Sequence, residues 1–255
     1  MHLSAMTIAW LVFACAVGGT LFGMFLRSVV PPSHQDEESK DVVKLGMGLL
    51  ATMAALVLGL LIASAKTAFD TRSAEVRQSA TSTLLLDRTL AEYGPETRGI
   101  RDLLRQTVMA RLAVTWPDDP SVPTRLDANA TTSTIEGVEH EIRALVPQNE
   151  IQRGVQARAL QNIGDLLQTR WLFLGDVGES LPLPFLVVLV FWLTVLFASF
   201  GLLAPRNATV VAVLVVCAFS VSTSIYLIVE LDHPFSGLMR ISSAPLRYAL
   251  SHLGE

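Results

Sequence analysis

The chain has 255 residues, of which 51% are hydrophobic and only 16% charged, an apolar-rich and charge-poor balance for a water-soluble protein of this length. The formal charge of -4 gives no support to a nucleic-acid partner. The two cysteines, Cys15 and Cys217, lie inside apolar runs with no CxxC and no neighbouring histidine, so they read as small packing residues and not as metal or redox groups.

Residues 5–26 (AMTIAWLVFACAVGGTLFGMFL) carry no charge. A run of about 20 residues at about 1.5 Å per residue covers roughly 30 Å, the thickness of a bilayer core. The ACA at 14–16 imitates a signal-cleavage site, but no Lys or Arg precedes it and the apolar run continues to Leu26, so it reads as a retained span. Gly19 and Gly23 form a GxxxG, which suits either close helix packing or a narrow pore face. The short loop RSVVPPSHQDEESKDVVK then leads to a second charge-free run at 45–65. Within it Gly48, Thr52, Ala55 and Gly59 recur at spacings of four, three and four, and Lys66 follows on the same face at the exit. That stripe of small residues fits a pore-lining helix but, on its own, fits close helix packing more readily. No Gly or Pro interrupts the sequence from there to Gly94. The spacing predicts one helix that continues for about thirty residues past the span.

The middle region, 66–181, predicts helices throughout. Ile100, Leu103, Leu104, Val108 and Leu112 follow a helical rhythm, as do Ile135, Val138, Ile142 and Leu145, and then Val155, Ala159, Ile163 and Leu166. YGPET at 93–97 ends one helix and starts the next, and WPDDPSVPTR at 116–125 reads as a proline-rich loop. Glu136 and His140 stand one helical turn apart, a spacing that a metal can use but that more often marks a solvated face.

Two further charge-free runs, 185–204 and 208–229, are joined by a tight turn, PRN at 205–207. Four spans place both termini and the middle region on one side. That side carries Lys66, Arg72, Arg77, Arg170, Arg240 and Arg247 near the membrane, against Arg27, Lys40, Lys44 and Arg206 on the other, which points to the cytoplasm. The last run ends in YLIVELDHPFSGLMRIS. Glu230, Asp232 and His233, with Pro234 and Phe235 next in the chain, admit a metal site, an acid/base pair, or a membrane-exit turn that couples the last span to the cytosolic helices. Pro234–Phe235–Ser236–Gly237 supplies no oxygen-rich loop of the calcium type, which favours the exit turn. In that reading Glu230 or Asp232 meets Arg240 or a neighbour, and Phe235 anchors in the protein or at the interface.

The chain has no GxSxG, HExxH, Walker or GxGxxG motif, and no enzyme activity is expected. No Asp, Glu, Lys, Arg or His falls inside any of the four runs, which argues against a proton-driven pump or an intramembrane enzyme and leaves a passive pore open.

The segments SKDVVKLGMGLLATMAALVLGLLIASAK at 39–66, LDRTLAEYGPETRGIRDLLR at 86–105 and FGLLAPRNATVVAV with ELDHPFSGLMRISSAPLRYALSHL between 200 and 253 resemble the bacterial bestrophin-like integral membrane proteins. The resemblance implies a pentameric ion channel, with an anion as the usual ion. It also implies four membrane helices around a cytosolic helical domain and a pore lined by the second helix. The Pro-Phe turn of bestrophins leads into an acidic run that clasps calcium, whereas SGLMRISS here holds no carboxylate, so no metal and no cofactor are expected. The bestrophin neck uses bulky apolar side chains. The second span here has no aromatic residue, so Met47, Leu50, Met53, Leu58 and Leu61 are the constriction candidates.

The sequence therefore reads as an all-α, polytopic membrane protein with a first hairpin at 5–65, a cytoplasmic helical domain at 66–181, a second hairpin at 182–230 and a cytoplasmic turn and tail at 231–255. The expected setting is the bacterial inner membrane, with the lipid bilayer, further copies of the chain and an inorganic ion as partners. The alternative is a non-conducting scaffold or sensor whose helical domain binds a partner or signal.

Overall fold

The computed structural model describes residues 4–29, 37–117, 134–175, 183–205, 207–235 and 237–254. The proline pair of the first loop, nearly all of the 116–125 loop, Arg206 and Ser236 lie outside the described residues. Among the described residues there are eight α-helices: α1 (Ala5–Val29), α2 (Glu37–Tyr93), α3 (Arg98–Thr115), α4 (Thr134–Ala144), α5 (Glu150–Gly175), α6 (Leu183–Leu203), α7 (Ala208–Leu231) and α8 (Ala244–His252). No strand occurs among the described residues. Four of these helices, α1, α2, α6 and α7, are long and apolar enough to cross a membrane, and each contains one of the four charge-free runs.

The chain divides into two compact units, 1–69 with 179–233 and 70–178 with 234–255. In the first unit α1 packs along α6 and α7. Lipid tails are as apolar as leucine, so close van der Waals fit has to hold such helices together. Glycine provides it. A Cβ at Gly19 would come 2.7 Å from the Thr194 carbonyl oxygen, and one at Gly23 would overlap the Ala198 carbonyl. From the other side, a Cβ at Gly201 would overlap the Thr20 carbonyl. The GxxxG of α1 is therefore a packing motif against α6. Ser222 on α7 adds a buried hydrogen bond, its hydroxyl donating to the Ala9 carbonyl at 2.5 Å. At the far end of α1 the Arg27 guanidinium donates to the Ala204 carbonyl just past α6, which satisfies an acceptor that the helix end leaves open. Asn207 caps α7, its side-chain oxygen accepting from the Val210 amide at 2.9 Å.

α2 is a single helix of 57 residues, about 85 Å long at the standard rise. It begins earlier than the expected span, at Glu37, and takes in the acidic end of the preceding loop. Ala54, Leu61 and Ala65 are buried against Leu189 and Leu193 of α6 and Ile225 and Ile228 of α7.

In the second unit the apolar rhythm read from the sequence becomes the core. Ile100, Leu104, Val108 and Leu112 of α3 are buried, with Ile135, Val138 and Ile142 of α4 and Val155, Ala159, Ile163 and Leu166 of α5. Gly94, with φ of 137°, breaks α2 from a single 3-10 turn at Pro95–Thr97 before α3. Thr97, fully buried, donates its hydroxyl to the Leu90 carbonyl at 2.6 Å and closes that corner.

A Gly23→Leu substitution is expected to lower stability by at least about 3 kcal/mol, because a side chain cannot enter a backbone contact. Gly48→Ala, at a position with nothing within 4 Å, is expected to change the thermal midpoint in detergent hardly at all. Equal midpoints for the two variants would contradict this packing.

Candidate functional site

The stripe on α2 is exposed along its whole length. Gly48, Thr52, Ala55, Gly59 and Lys66 all face away from the chain's own helices, and nothing lies within 4 Å of a Cβ built on Gly48 or Gly59. The small residues therefore make no close contact within the chain. Thr52 turns its hydroxyl back to the Gly48 carbonyl at 2.8 Å, which spares it any need for another partner. The Lys66 ammonium lies 5.8 Å from the centre of the Phe69 ring, within cation–π range, as the helix passes from apolar to polar sequence.

The five constriction candidates do not share this face. Leu61 is buried in the core formed with α6 and α7, and Leu58 packs half-buried beside it. Met47, Leu50 and Met53 line an open groove of about 350 Å³ with Val195 and Ser199 of α6. Leu61, Leu58, Met47 and Leu50 thus sit on the side of α2 that meets its own chain, while Met53, 42% exposed, stands at the edge of that side. The side chain that does fall on the stripe is Ile62. It continues the four-three rhythm from Gly59 to Lys66 and is 41% exposed. Its signal is present in the spacing but hidden by the surrounding leucines. A second exposed face carries Leu45, Leu49, Leu56 and Leu60, each at least 66% exposed. As a result only 11% of the apolar window of α2 is buried within the chain, against 33%, 22% and 28% for α1, α6 and α7.

The exit turn is built in two parts. At the end of α7, Glu230 is buried and hydrogen-bonds Tyr226 one turn earlier on its own helix. The Asp232 amide donates to the Ile228 carbonyl at 3.2 Å, and the His233 amide to the Glu230 carbonyl at 3.1 Å. The His233 ring meets the Val229 carbonyl at 2.9 Å. These bonds fasten the last carbonyls of the helix. Among the described residues no three His, Cys, Asp or Glu side chains are placed to hold a metal. Glu136 and His140 both lie on the exposed face of α4.

Beyond the helix, Pro234 is buried and its carbonyl accepts from the Ile241 amide at 2.7 Å, closing a loop. The Phe235 ring meets Trp116 edge to face, 5.5 Å between centres at 84°. The Trp116 indole N–H donates to the Ile241 carbonyl at 2.8 Å, and both residues are buried. Arg240 is exposed. By sequence Trp116 only opens a proline-rich loop. In the structure it anchors the tail, and a tertiary contact 125 residues away in sequence makes it so.

A second anchor is also absent from the sequence reading. Asp87, fully buried on α2, receives Nε and Nη2 of Arg101 at 2.7 and 2.8 Å and the Gly254 amide at 3.3 Å. The hydrogen bond to Asp87 raises the Arg101 pKa above its ordinary value, and burial alone would lower it. A carboxylate on a face that also buries Val76, Ala80, Thr83 and Leu90 is the available signal. Near the end of α2, burial pushes the Tyr93 phenol pKa up, and the neighbouring Glu96 adds to the shift. A small cavity beside this core, lined among others by Thr83, Thr107 and Arg111, measures about 20 Å³, room for one water molecule.

The model of the bestrophin-like domain matches residues 14–246 of the sequence. The chain belongs to the bestrophin-like family. Solved structures agree with the fold. One variant of a bacterial bestrophin homologue from Klebsiella pneumoniae superposes on this bestrophin-like chain with a TM-score of 0.63 at 15% identity, covering 94% of this chain and 98% of the other. A zinc-phased structure of the Klebsiella homologue gives 0.61 at 16% identity, with 93% and 96% covered. Another variant gives 0.58 at 17% identity, with 99% and 98% covered. No functionally curated protein matches the chain. The bestrophin-like chain is thus a multi-pass membrane protein built on the bestrophin fold.

Asp87→Ala leaves the half-buried Arg101 guanidinium without its carboxylate and is expected to cost about 3 kcal/mol. Trp116→Phe keeps the ring and removes one donor to a buried carbonyl, at about 1–3 kcal/mol. Thermal unfolding in detergent, with protease cleavage of the tail as a second readout, checks both. Wild-type stability for Asp87→Ala would contradict the assigned anchor.

Proposed function

We propose that the chain is a subunit of an oligomeric, pentameric passive ion channel in which the second helices of the copies line the pore. The observation that carries this reading is the exposure of α2, whose apolar window is only 11% buried within its own chain. The stripe Gly48–Thr52–Ala55–Gly59–Ile62–Lys66 faces the ion path, and the leucine face packs toward a neighbouring copy. Ile62 is the constriction, since it is the one bulky apolar side chain on a stripe otherwise made of small or polar groups. An apolar ring of that kind gates by wetting and dewetting and needs no ionisable group in the membrane. Lys66 at the exit of the stripe favours an anion.

The chain is placed in a bacterial inner membrane, with 66–181 and both termini in the cytoplasm, on the lysine and arginine balance across the spans. The hairpins at 5–65 and 182–230 form the membrane part, the helical domain lies between them in sequence, and the tail from 231 onward fastens to that domain. The loop closed by Pro234, Phe235, Trp116 and Ile241 supports a coupling role for the exit turn, because it binds the residues just past the last span to the helical unit.

The test is ion flux from liposomes holding the purified protein. Thr52→Trp is expected to abolish flux with the mass of the assembly unchanged, because Thr52 points away from its own chain. Ile62→Ala is expected to raise flux several-fold. A wild-type protein without flux, or Thr52→Trp copies that conduct normally, would overturn the reading.

A further inference from the structure

The loop that leaves the last span ends in an apolar tip. Leu238 is 82% exposed, more than any other large hydrophobic residue described, and the adjoining Met239 is 40% exposed. Arg240 beside them is exposed as well. An isolated exposed leucine needs no explanation, but two apolar side chains beside a cation on a fixed projection do. The projection is fixed. Its base is closed by the Ile241 amide on the Pro234 carbonyl at 2.7 Å, and Trp116 holds it through the Ile241 carbonyl and the Phe235 ring. Gly237, with φ of 85°, turns the chain in a conformation that other residues rarely adopt.

We propose that Gly237–Arg240 is an interfacial anchor that inserts Leu238 and Met239 at the boundary between acyl chains and headgroups, with Arg240 among acidic headgroups. Three arguments select the bilayer. Leu238 follows Leu231, the last residue of α7, by only seven positions, at most about 25 Å of extended chain, so the tip is tethered close to where that span ends. Arg240 next to an apolar pair matches an anionic lipid surface, which attracts juxtamembrane cations. The tip is also small. A stable protein interface buries about 800 Å² on each partner, far more than two side chains present, whereas a headgroup layer accepts such a wedge. The proposal needs the membrane setting of α7 and does not depend on ion conduction.

The experiment places a bimane label on Leu238→Cys in the full chain with Cys15→Ala and Cys217→Ala, in nanodiscs of phosphatidylcholine and phosphatidylglycerol. Lipids brominated near the headgroup act as quenchers. Ile151→Cys is the control. Ile151 is 76% exposed, and its neighbour Gln152 bonds the carbonyl of Tyr93, the last residue of α2, about 36 Å along that helix from Phe69. Several-fold stronger quenching at 238 than at 151, greater with phosphatidylglycerol present, is the expected result. Equal quenching at the two sites would overturn the proposal, and so would a label shielded in detergent that cross-links to a second copy. A Met239→Cys label gives an independent reading if the first variant fails to fold. A protein that conducts no ions but shows the quenching would sink the channel reading alone.

Discussion

Along its apolar run at 45–65 α2 offers three faces, and its own chain buries only one of them. Ala54, Leu61 and Ala65 meet α6 and α7, while the stripe from Gly48 to Lys66 and the face of Leu45, Leu49, Leu56 and Leu60 stay exposed. A helix in lipid has every backbone group satisfied internally, so nothing in its hydrogen bonding forces it to gather neighbours. Side-chain shape decides which neighbours it gathers. Large leucines offer van der Waals surface to another helix, and a row of small residues leaves room beside the backbone. The two exposed faces therefore suit different tasks, and the proposed pore rests on that division.

The two compact units are held together by different physics. In the first, apolar burial gives little preference for protein over lipid, and stability rests on the interlock of Gly19, Gly23 and Gly201 with facing carbonyls. In the second, helices with a polar outer face bury leucines, isoleucines and valines, and the hydrophobic effect is available. A buried ion pair adds little net stability there. Asp87 and Arg101 instead set which residues can come together, because a carboxylate in that core accepts only a matching cation and the Gly254 amide. The tail is tied twice, through Trp116 at its start and Asp87 at its end, which makes it part of the helical unit.

Much of the architecture is legible in the sequence because it is written in local patterns. Uncharged runs of bilayer length mark the four spans, and the absence of Gly or Pro up to Gly94 marks the continuous α2. Three-four apolar rhythms mark the cores of α3, α4 and α5. The site is less legible for a physical reason. Periodicity shows that a face exists but not which face meets the rest of the chain. Leu61 and Leu58 look like pore residues by sequence and meet α6 and α7 in the structure, while Ile62, one position away, looks ordinary and turns outward. The GxxxG of α1 and the stripe of α2 are alike as sequence. Only the carbonyls facing Gly19 and Gly23, and the open space at Gly48 and Gly59, separate them. The anchors of the tail join residues more than a hundred positions apart, beyond the reach of any local pattern.

The proposed pore depends on other copies of the chain covering α2. The most direct measurement is the mass of the full chain in nanodiscs, by native mass spectrometry or light scattering. The account predicts five copies, the number the family resemblance implies for a ring of second helices around one axis. A monomer or dimer that persists in gentle solubilisation would contradict it, because no central pore would then exist for the stripe to line.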